Sequence, residues 1–292
     1  MKIMQLRYYR EVCRYGSITK ASKELHISQP TITNAIHDLE KEFSVNLFHR
    51  QKKSLILTHE GKCFWEQVEI LLDRIDTVER NMKNLGGQNN HIQIGIPPMI
   101  GTVLFPSMFS EFYKAYPEIK LEVQENGSLL TKQQVLEDQL DLAIVILDEE
   151  IEKEFNCFPI MVTQLVYCVN KSNPISQKTS VNISELIDEP IILMKSGSFQ
   201  NVNIKKRFEE INIQPNIILY SNQLNTIKEF IQYNNAGAFL FEDVILNDAD
   251  IIGIPLNPPM LIKIGLIWKK GKHNYSGATQ FISFTKNYDY KK

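Results

Sequence analysis

The chain has 292 residues, enough for two or three domains that each have a hydrophobic core. Its 43% hydrophobic and 23% charged residues are ordinary for a globular protein, and no apolar run approaches the roughly 20 residues that cross a bilayer. Arg7, Arg10 and Glu11 interrupt any N-terminal signal-peptide core, so we expect a cytoplasmic protein.

Charge is distributed unevenly along the chain, although the net formal charge is only -2. Residues 1–62 contain 11 Lys and Arg against 6 Asp and Glu, a balance of +5, whereas residues 91–292 contain 18 against 23, a balance of -5. Six of the seven arginines lie at or before Arg80, and only Arg207 follows. The basic N-terminal part suggests a polyanionic partner, although a solvated charged surface would show the same balance.

Three amphipathic patterns predict helices over about 3–14, 18–25 and 29–42. Turn and cap residues separate them: Gly16 ends the first helix, Ser17 or Thr19 caps the second, and Ser28, followed by Pro30, begins the third. The third helix leaves short polar side chains outside that can reach DNA bases and phosphates, namely Gln29, Thr31, Thr33, Asn34 and His37. A generic amphipathic helix with a solvated face is the alternative.

A short hairpin is predicted next, because two apolar segments flank a basic tip that contains Arg50, Lys52 and Lys53. Directly after a helix-turn-helix, such a hairpin indicates a wing whose cations lie near the DNA backbone or minor groove.

A long helix from Thr58 to about Leu85 follows, and its apolar residues are spaced by alternating steps of four and three. This heptad seam predicts pairing between two subunits, with packing inside its own domain as the alternative; its residues are Phe64, Val68, Leu71, Ile75, Val78, Met82 and Leu85. Residues 86–90 (GGQNN) then break the helix and indicate a hinge.

From Ile92 onward, strands alternate with helices, which predicts a parallel sheet covered by helices on both faces. We expect strands over 92–96, 119–124, 142–146, 165–169, 191–193, 217–220, 238–241, 251–255 and 262–268. Helices are expected over about 102–116, 130–140, 201–210, 223–233 and 276–288.

The four cysteines form no C-x-x-C pair, and no histidine lies at metal-ligand spacing from them. We therefore expect no metal and no cofactor, and reduced, mostly buried thiols. A redox-sensing pair of Cys157 and Cys168 is the weaker alternative.

The N-terminal residues together resemble the LysR-type transcriptional regulators. The resemblance depends on Leu6, Gly16, Ser17, Ala21, Leu25, Ser28, Gln29, Pro30, Thr33, Ile36, Leu39, Glu40, Leu47, Phe48, Arg50, Leu57, Thr58 and Gly61, in order and spacing. The chain departs from the family pattern at Ser22, Ser44 and Asn34, and the last of these, commonly a basic residue in the family, bears on the base that is read.

The resemblance implies an α/β protein with an all-α winged helix-turn-helix over 1–58, a dimerisation helix over 59–86 and a hinge over 87–91. An effector-binding domain like a type 2 periplasmic binding protein would follow over 92–292, with lobe 1 at about 92–162 and 267–292 and lobe 2 at about 163–266. The implied partners are a dyad-symmetric promoter site, a small effector, a second copy in a dimer or tetramer, and RNA polymerase, with no membrane. The expected DNA-binding residues are Ser17, Ser28, Gln29, Pro30, Thr31, Thr33, Asn34, His37, Arg50, Lys52 and Lys53.

An effector between the lobes would lie beyond the carboxyl ends of the strands. That rule selects Pro98, Met99, Ile100, Thr102 and Ser128 in lobe 1, and Lys195, Ser196, Ser198, Phe199, Asn222 and Phe239 in lobe 2, each of which could equally be a plain turn or cap residue. Since only Arg207 could form a bidentate pair, we expect an effector that is neutral or has at most one carboxylate, held by N–H groups, hydroxyls and Lys195.

Three other classes of protein fit less well. An enzyme would be expected to carry a catalytic motif such as G-x-S-x-G, H-E-x-x-H or a Walker sequence, and the chain contains none of these. A solute-binding protein would not need the N-terminal module. An architectural or constitutive DNA-binding repressor without a ligand remains the closest alternative.

Overall fold

The computed structural model describes residues 1–51, 54–86, 90–148, 150–234, 236–272 and 274–290. Contacts divide the chain into two compact units, Met1–Lys83 and Asn84–Lys292, called unit 1 and unit 2 below. Within the described ranges, no helix combines the length and the apolar character that a membrane span requires.

Unit 1 is helical apart from one hairpin. Its elements are α1 (Ile3–Tyr15), α2 (Ile18–Glu24), α3 (Gln29–Phe43), β1 (Phe48–Gln51), β2 (Ser54–Leu57) and α4 (His59–Leu85), which extends two residues past the unit. Gly16 follows α1 with a left-handed φ of 58°, and the hydroxyls of Ser17 and Ser28 accept backbone hydrogen bonds as the N-caps of α2 and α3. The three predicted helices, the hairpin and the long helix are thus confirmed.

The start of α4 is fixed against the hairpin by a close backbone contact. A methyl group on Gly61 would lie 2.1 Å from the carbonyl oxygen of Leu47, so only glycine fits there. The buried Tyr9 donates its phenol hydrogen to the Gly61 carbonyl at 2.7 Å, and its ring packs against Phe48 and Phe64. This junction joins α1, the hairpin and α4 in one core.

Unit 2 is an α/β structure. It contains β3 (His91–Gly95), α5 (Pro98–Ala115), β4 (Lys120–Gln124), α6 (Ser128–Leu136), β5 (Leu142–Ile146), α7 (Ile151–Glu154), β6 (Phe155–Asn170), β7 (Val181–Asn182), β8 (Ile191–Leu193), α8 (Phe199–Glu209), β9 (Ile217–Tyr220), α9 (Leu224–Asn234), β10 (Gly237–Phe241), β11 (Ile251–Lys269) and α10 (Ser276–Asn287). The strand order in the sheet is β4-β3-β5-β11-β6-β10-β8-β9, and β7 pairs with β11.

The sheet is parallel only in its two outer parts, which corrects the expectation of a parallel sheet. β3 pairs in parallel with β4 and β5, and β8 pairs in parallel with β9 and β10. Between them, β6 and β11 run antiparallel to each other, with a break over residues 256–259 of β11, where Leu256 and Asn257 pair with β7 instead. The predicted strands over 251–255 and 262–268 are therefore two parts of β11, because the intervening prolines disturb the pairing register without ending the strand.

The C-terminal helix is attached to the sheet through a buried carboxylate. Asp141, which is almost fully buried, accepts hydrogen bonds from the Gln93 N–H at 2.9 Å and from the Tyr275 hydroxyl at 2.7 Å. Lys272 lies 3.5 Å from the same carboxylate. Since Tyr275 precedes α10, this cluster joins the last helix to β3 and β5.

Candidate DNA-binding surface and effector cavity

The third helix separates its side chains into two faces, as predicted. Ile32, Ala35, Ile36 and Leu39 are buried against the core of unit 1. The polar residues of the other face are all exposed: Ser28, Gln29, Pro30, Thr31, Thr33, Asn34 and His37. α3 therefore presents one continuous polar strip at the second helix of a helix-turn-helix.

Residues on this strip differ in how far their hydrogen-bonding groups are already used. The hydroxyls of Ser28 and Thr31 lie 2.7 Å apart, and Thr33 donates to the Gln29 carbonyl at 2.9 Å. Asn34 and His37, in contrast, form no hydrogen bond with the described part of the chain. These two side chains, with the amide N–H₂ of Gln29, offer the free donors and acceptors of the strip.

The hairpin lies next to the helix-turn-helix, as a wing does. β1 and β2 are antiparallel, with Arg50 opposite Leu55, and the Leu55 N–H donates to the Gly16 carbonyl at 3.4 Å. The predicted tip residues Lys52 and Lys53 lie outside the described residues, as do residues 87–89 of the predicted hinge.

Part of the basic charge of unit 1 is neutralised inside that unit. Arg7 lies 2.7 Å from Asp76 and 3.6 Å from Glu79, and Arg10 lies 3.9 Å from Asp76. These ion pairs join α1 to the second half of α4. The positive balance of residues 1–62 therefore overstates the charge that is free to meet a polyanion.

The heptad seam of α4 divides into two parts, which corrects its prediction as one continuous pairing surface. Val68 is buried in the core of unit 1 together with Leu72, and Phe64 and Ile75 pack against that core. Three other seam residues, one of them between Val68 and Ile75, are open to solvent: Leu71 is 40% exposed, Val78 61% and Met82 62%. Phe64, Val68 and Ile75 are apolar because they pack inside unit 1. Heptad spacing alone cannot distinguish such packing from pairing between subunits.

Unit 2 contains a partly open cavity of about 30 Å³. Seven residues predicted for the effector site line it: Pro98, Met99, Ile100, Ser128, Ser198, Phe199 and Asn222. The other described lining residues were not predicted: Pro97, Gly127, Ile146, Met194, Gln200 and Phe241. Most of these lie within two residues of a predicted one, because they share a strand end or a helix start with it.

Three helices begin at this cavity. Lining residues stand at the N-termini of α5, α6 and α8, where the first-turn N–H groups have no partner within the helix and the helix dipole is positive. Ser128, a residue that is 4% exposed, adds a hydroxyl that forms no hydrogen bond with the described part of the chain. No described lining residue is charged, so the backbone supplies the positive potential of the cavity.

The remaining predicted effector residues do not line the cavity. Thr102 is exposed on α5 and donates to the Pro98 carbonyl at 3.0 Å, and Lys195 and Ser196 are exposed. Phe239 is fully buried in the core, where its carbonyl accepts a hydrogen bond from the Gln200 amide. Phe241, two residues farther on, lies on the same side of β10 as Phe239 and lines the cavity instead, because it stands at the carboxyl end of the strand, where the cavity lies.

Arg207, the single arginine of unit 2, has a structural contact. Its guanidinium donates to the Pro258 carbonyl at 2.8 Å, beside the irregular part of β11. Burial lowers its pKa, although Glu210 acts in the opposite direction. It does not line the cavity, which therefore lacks the bidentate cation that a polycarboxylate would need.

Cys157 and Cys168 cannot form a disulfide with each other in this fold. They lie 11 residues apart on β6, which corresponds to roughly 35 Å along an extended strand. A disulfide requires Cα atoms within about 7 Å. Burial raises the pKa of Cys168 to about 12, and burial and the nearby Glu152 also raise the pKa of Cys157, so neither thiol is activated as a thiolate.

A winged helix-turn-helix joined to an α/β unit with a cavity defines a class of ligand-controlled DNA-binding regulators. The family model described as "Bacterial regulatory helix-turn-helix protein, lysR family" matches residues 3–62, and the one described as "LysR substrate binding domain" matches residues 85–289. The chain belongs to the LysR family of transcriptional regulators.

Individual relatives agree with this assignment. The chain is 29% identical to the uncharacterized HTH-type transcriptional regulator YwbI of Bacillus subtilis (strain 168), over 99% of this chain and 97% of that protein. It is 27% identical to a probable RuBisCO transcriptional regulator of Trieres chinensis, over 85% and 83% of the two chains. The structure of full-length CbnR complexed with its target DNA has a similar fold, with a TM-score of 0.71, 18% identity, and 98% and 99% of the two chains covered.

Proposed function

We propose that this LysR-type regulator binds a dyad-symmetric promoter site as a dimer or tetramer and responds to a small effector in the cavity of unit 2. The observation that carries the effector part is the convergence of three helix N-termini on a cavity without a charged side chain. Regulation at a promoter makes RNA polymerase a further partner. The protein acts by binding rather than by catalysis, in the cytoplasm at the nucleoid.

The domain arrangement belongs to this proposal. We place the DNA-binding module at 1–58, the linker helix at 59–86, the hinge at 87–91 and the effector domain at 92–292. Lobe 1 begins this domain and lobe 2 follows from about 163. The return to lobe 1 fits better at about 264 than at 267, because Ile264–Ile267 already pair with β5.

The effector carries at most one carboxylate. Free N–H groups at three helix starts stabilise one negative charge, whereas several carboxylates would lack the arginines that normally pair with them. Isothermal titration calorimetry on the full chain should show binding of a monocarboxylate and no tight binding of citrate. Ser128→Ala should weaken the monocarboxylate about tenfold and Ser180→Ala, on an exposed surface, should not, while tight citrate binding would contradict the proposal.

The exposed strip of α3 reads the DNA sequence, and the wing binds its backbone. Gln29→Ala and Thr33→Ala should reduce the preference for specific over random DNA, because they remove groups that face base edges. Lys52→Ala should weaken both DNAs equally and lower the salt slope by about 1. Fluorescence anisotropy measures both effects, with Lys114→Ala in unit 2 as the control; equal losses on both DNAs for all three variants would contradict the assignment.

The exposed part of the α4 seam pairs two subunits, through Leu71, Val78 and Met82, with Ile75 at its edge. Val78→Glu should dissociate the dimer without disturbing the core of unit 1, since Val78 is exposed in the single chain. Val202→Glu, at a half-exposed position of α8, is the matched control. Light scattering that reports an unchanged mass for Val78→Glu would show that subunits pair elsewhere.

A further inference from the structure

The cavity of unit 2 borders a second, larger space. A groove of about 600 Å³ lies along β5, β6 and β11, and it shares two lining residues, Ile146 and Phe199, with the cavity. The remaining lining of the groove is partly apolar, through Leu147, Ile151, Pro159 and Leu261. These two shared residues therefore lie at the border between the cavity and the groove.

The cavity is too small to contain an effector by itself. Its volume is about 30 Å³, whereas the ligand pockets of proteins typically have about 300–1,000 Å³. On one side the backbone closes it, because a methyl group on Gly127 would lie only 2.4 Å from the Gly197 carbonyl oxygen. Phe199, a half-exposed residue at the first position of α8 that also borders the groove, lies on a side where the cavity can extend without separating Gly127 from Gly197.

We infer that the effector is an elongated monocarboxylic acid, with its carboxylate in the cavity and its apolar body in the groove. This inference rests on the proposed function of the cavity. The carboxylate accepts hydrogen bonds from the helix N-termini and from the unpartnered hydroxyl of Ser128. The apolar body passes between Ile146 and Phe199 and covers Leu261, which is 67% exposed in the free protein.

The reverse orientation, with the carboxylate in the groove and the apolar body in the cavity, has one observation in its favour. Lys263 lies in the groove, and its ammonium group forms no ion pair within the part of the chain that the structure describes. The other charged groups there, Asp148 and Glu152, are acidic, and Asp148 pairs with Lys132 at 2.5 Å. This acidic surrounding makes the groove a poorer place for a carboxylate than the cavity, where no described residue is charged.

The test uses straight-chain acids from acetate to octanoate, and primary alcohols of the same lengths, titrated into the full chain by calorimetry. Affinity should rise about fourfold for each methylene group that enters the groove. Leu261→Asp should weaken octanoate at least tenfold and leave butyrate within twofold. Leu246→Asp, at a similarly exposed leucine outside the groove, should change neither.

The outcomes separate this inference from the proposed function. Acids that bind with an affinity independent of length would overturn the inference and leave the cavity as a carboxylate site. Alcohols that bind as tightly as the acids would support binding of the apolar body in the groove, and would contradict a role of the carboxylate in binding. Octanoate weakened by Lys263→Met but not by Ser128→Ala would show the reverse orientation, and no binding by any probe would contradict both proposals.

Discussion

The two binding surfaces proposed for this chain use opposite means to meet a negative charge. On unit 1 the groups are side chains that come from one stretch, residues 17–53, and those on α3 are exposed. In unit 2 the groups are backbone N–H groups and hydroxyls around a partly open cavity, collected from helix starts that are far apart in the sequence. The comparison shows why the body can be poor in arginine and still be suited to an anion.

The difference suits the two ligands. A DNA duplex presents many phosphates over a long surface, and exposed cations meet them at little desolvation cost but with strong screening by salt. A single carboxylate inside a protein must lose its water, and fixed N–H groups replace that water without bringing in a second buried charge.

Removing the junction at Gly61 should have the largest effect and should show whether the two units fold independently. In Gly61→Ala the new methyl group would clash with the Leu47 carbonyl, so we expect unit 1 to lose several kcal/mol and its DNA binding to disappear. Calorimetry should still show the transition of unit 2. Gly277→Ala, where the methyl group would have ordinary contacts of 3.5 Å or more, is the control; if it behaves like Gly61→Ala, backbone crowding is not the cause.

The second largest effect should come from salt, which should weaken DNA binding much more than effector binding. If the bound oligomer makes on the order of six to ten phosphate contacts, its DNA affinity should fall about 10³-fold or more between 50 and 200 mM salt. Effector affinity over the same range should change by less than about threefold, because the buried charge is screened little. Anisotropy and calorimetry measure the two, and a steep salt dependence of the effector would mean that exposed cations bind it.

Charged residues in unit 2 should prove important for the fold rather than for a ligand. Asp141→Ala leaves the Gln93 N–H without its side-chain acceptor and removes one of the two acceptors of the Tyr275 hydroxyl, so unit 2 should lose about 1–3 kcal/mol in urea unfolding. Asp148→Ala, which removes an exposed pair with Lys132, should cost less than about 1 kcal/mol. Similar losses for both variants would contradict a special role for the buried carboxylate.

The DNA-binding surface could be predicted from the sequence more completely than the cavity, because its residues come from one stretch. Gly16, Ser17 and Ser28 mark helix ends through local backbone chemistry, so the helices of unit 1 and the exposed face of α3 were predictable. The basic tip between two apolar segments predicted the wing, and the family resemblance added the two-lobed body. The cavity was found only in part, because strand ends were predictable whereas the distance that β10 extends, which brings Phe241 rather than Phe239 to the cavity, depends on the sheet.

Other features were beyond a single sequence for physical reasons. Val68 and Val78 both fit the heptad spacing of the seam. Only tertiary packing shows that Val68 is buried in unit 1 and that Val78 is exposed. The long antiparallel strands β6 and β11 contain prolines and polar residues that suggest ends, but pairing along most of their length overrides that local preference.

The smallest expected effect concerns a hydroxyl that no ligand can reach. Tyr167 is fully buried, and its hydroxyl has no partner among the described residues and lies against Gly237. Tyr167→Phe should therefore leave unit 2 equally stable or up to about 1 kcal/mol more stable in urea unfolding. Tyr275→Phe is the matched control, and it should cost about 1–2 kcal/mol because that hydroxyl donates to Asp141 or to the His91 carbonyl.

A comparison of the variants Tyr167→Phe and Ser128→Ala tests the role of the cavity directly. Both hydroxyls lack a partner in the described chain, but only Ser128 borders the cavity. If Tyr167→Phe changes stability and not effector affinity, while Ser128→Ala changes effector affinity and not stability, an unpartnered hydroxyl has a function only where a ligand can reach it. If Ser128→Ala is as silent toward the effector as Tyr167→Phe, the backbone N–H groups alone hold the carboxylate.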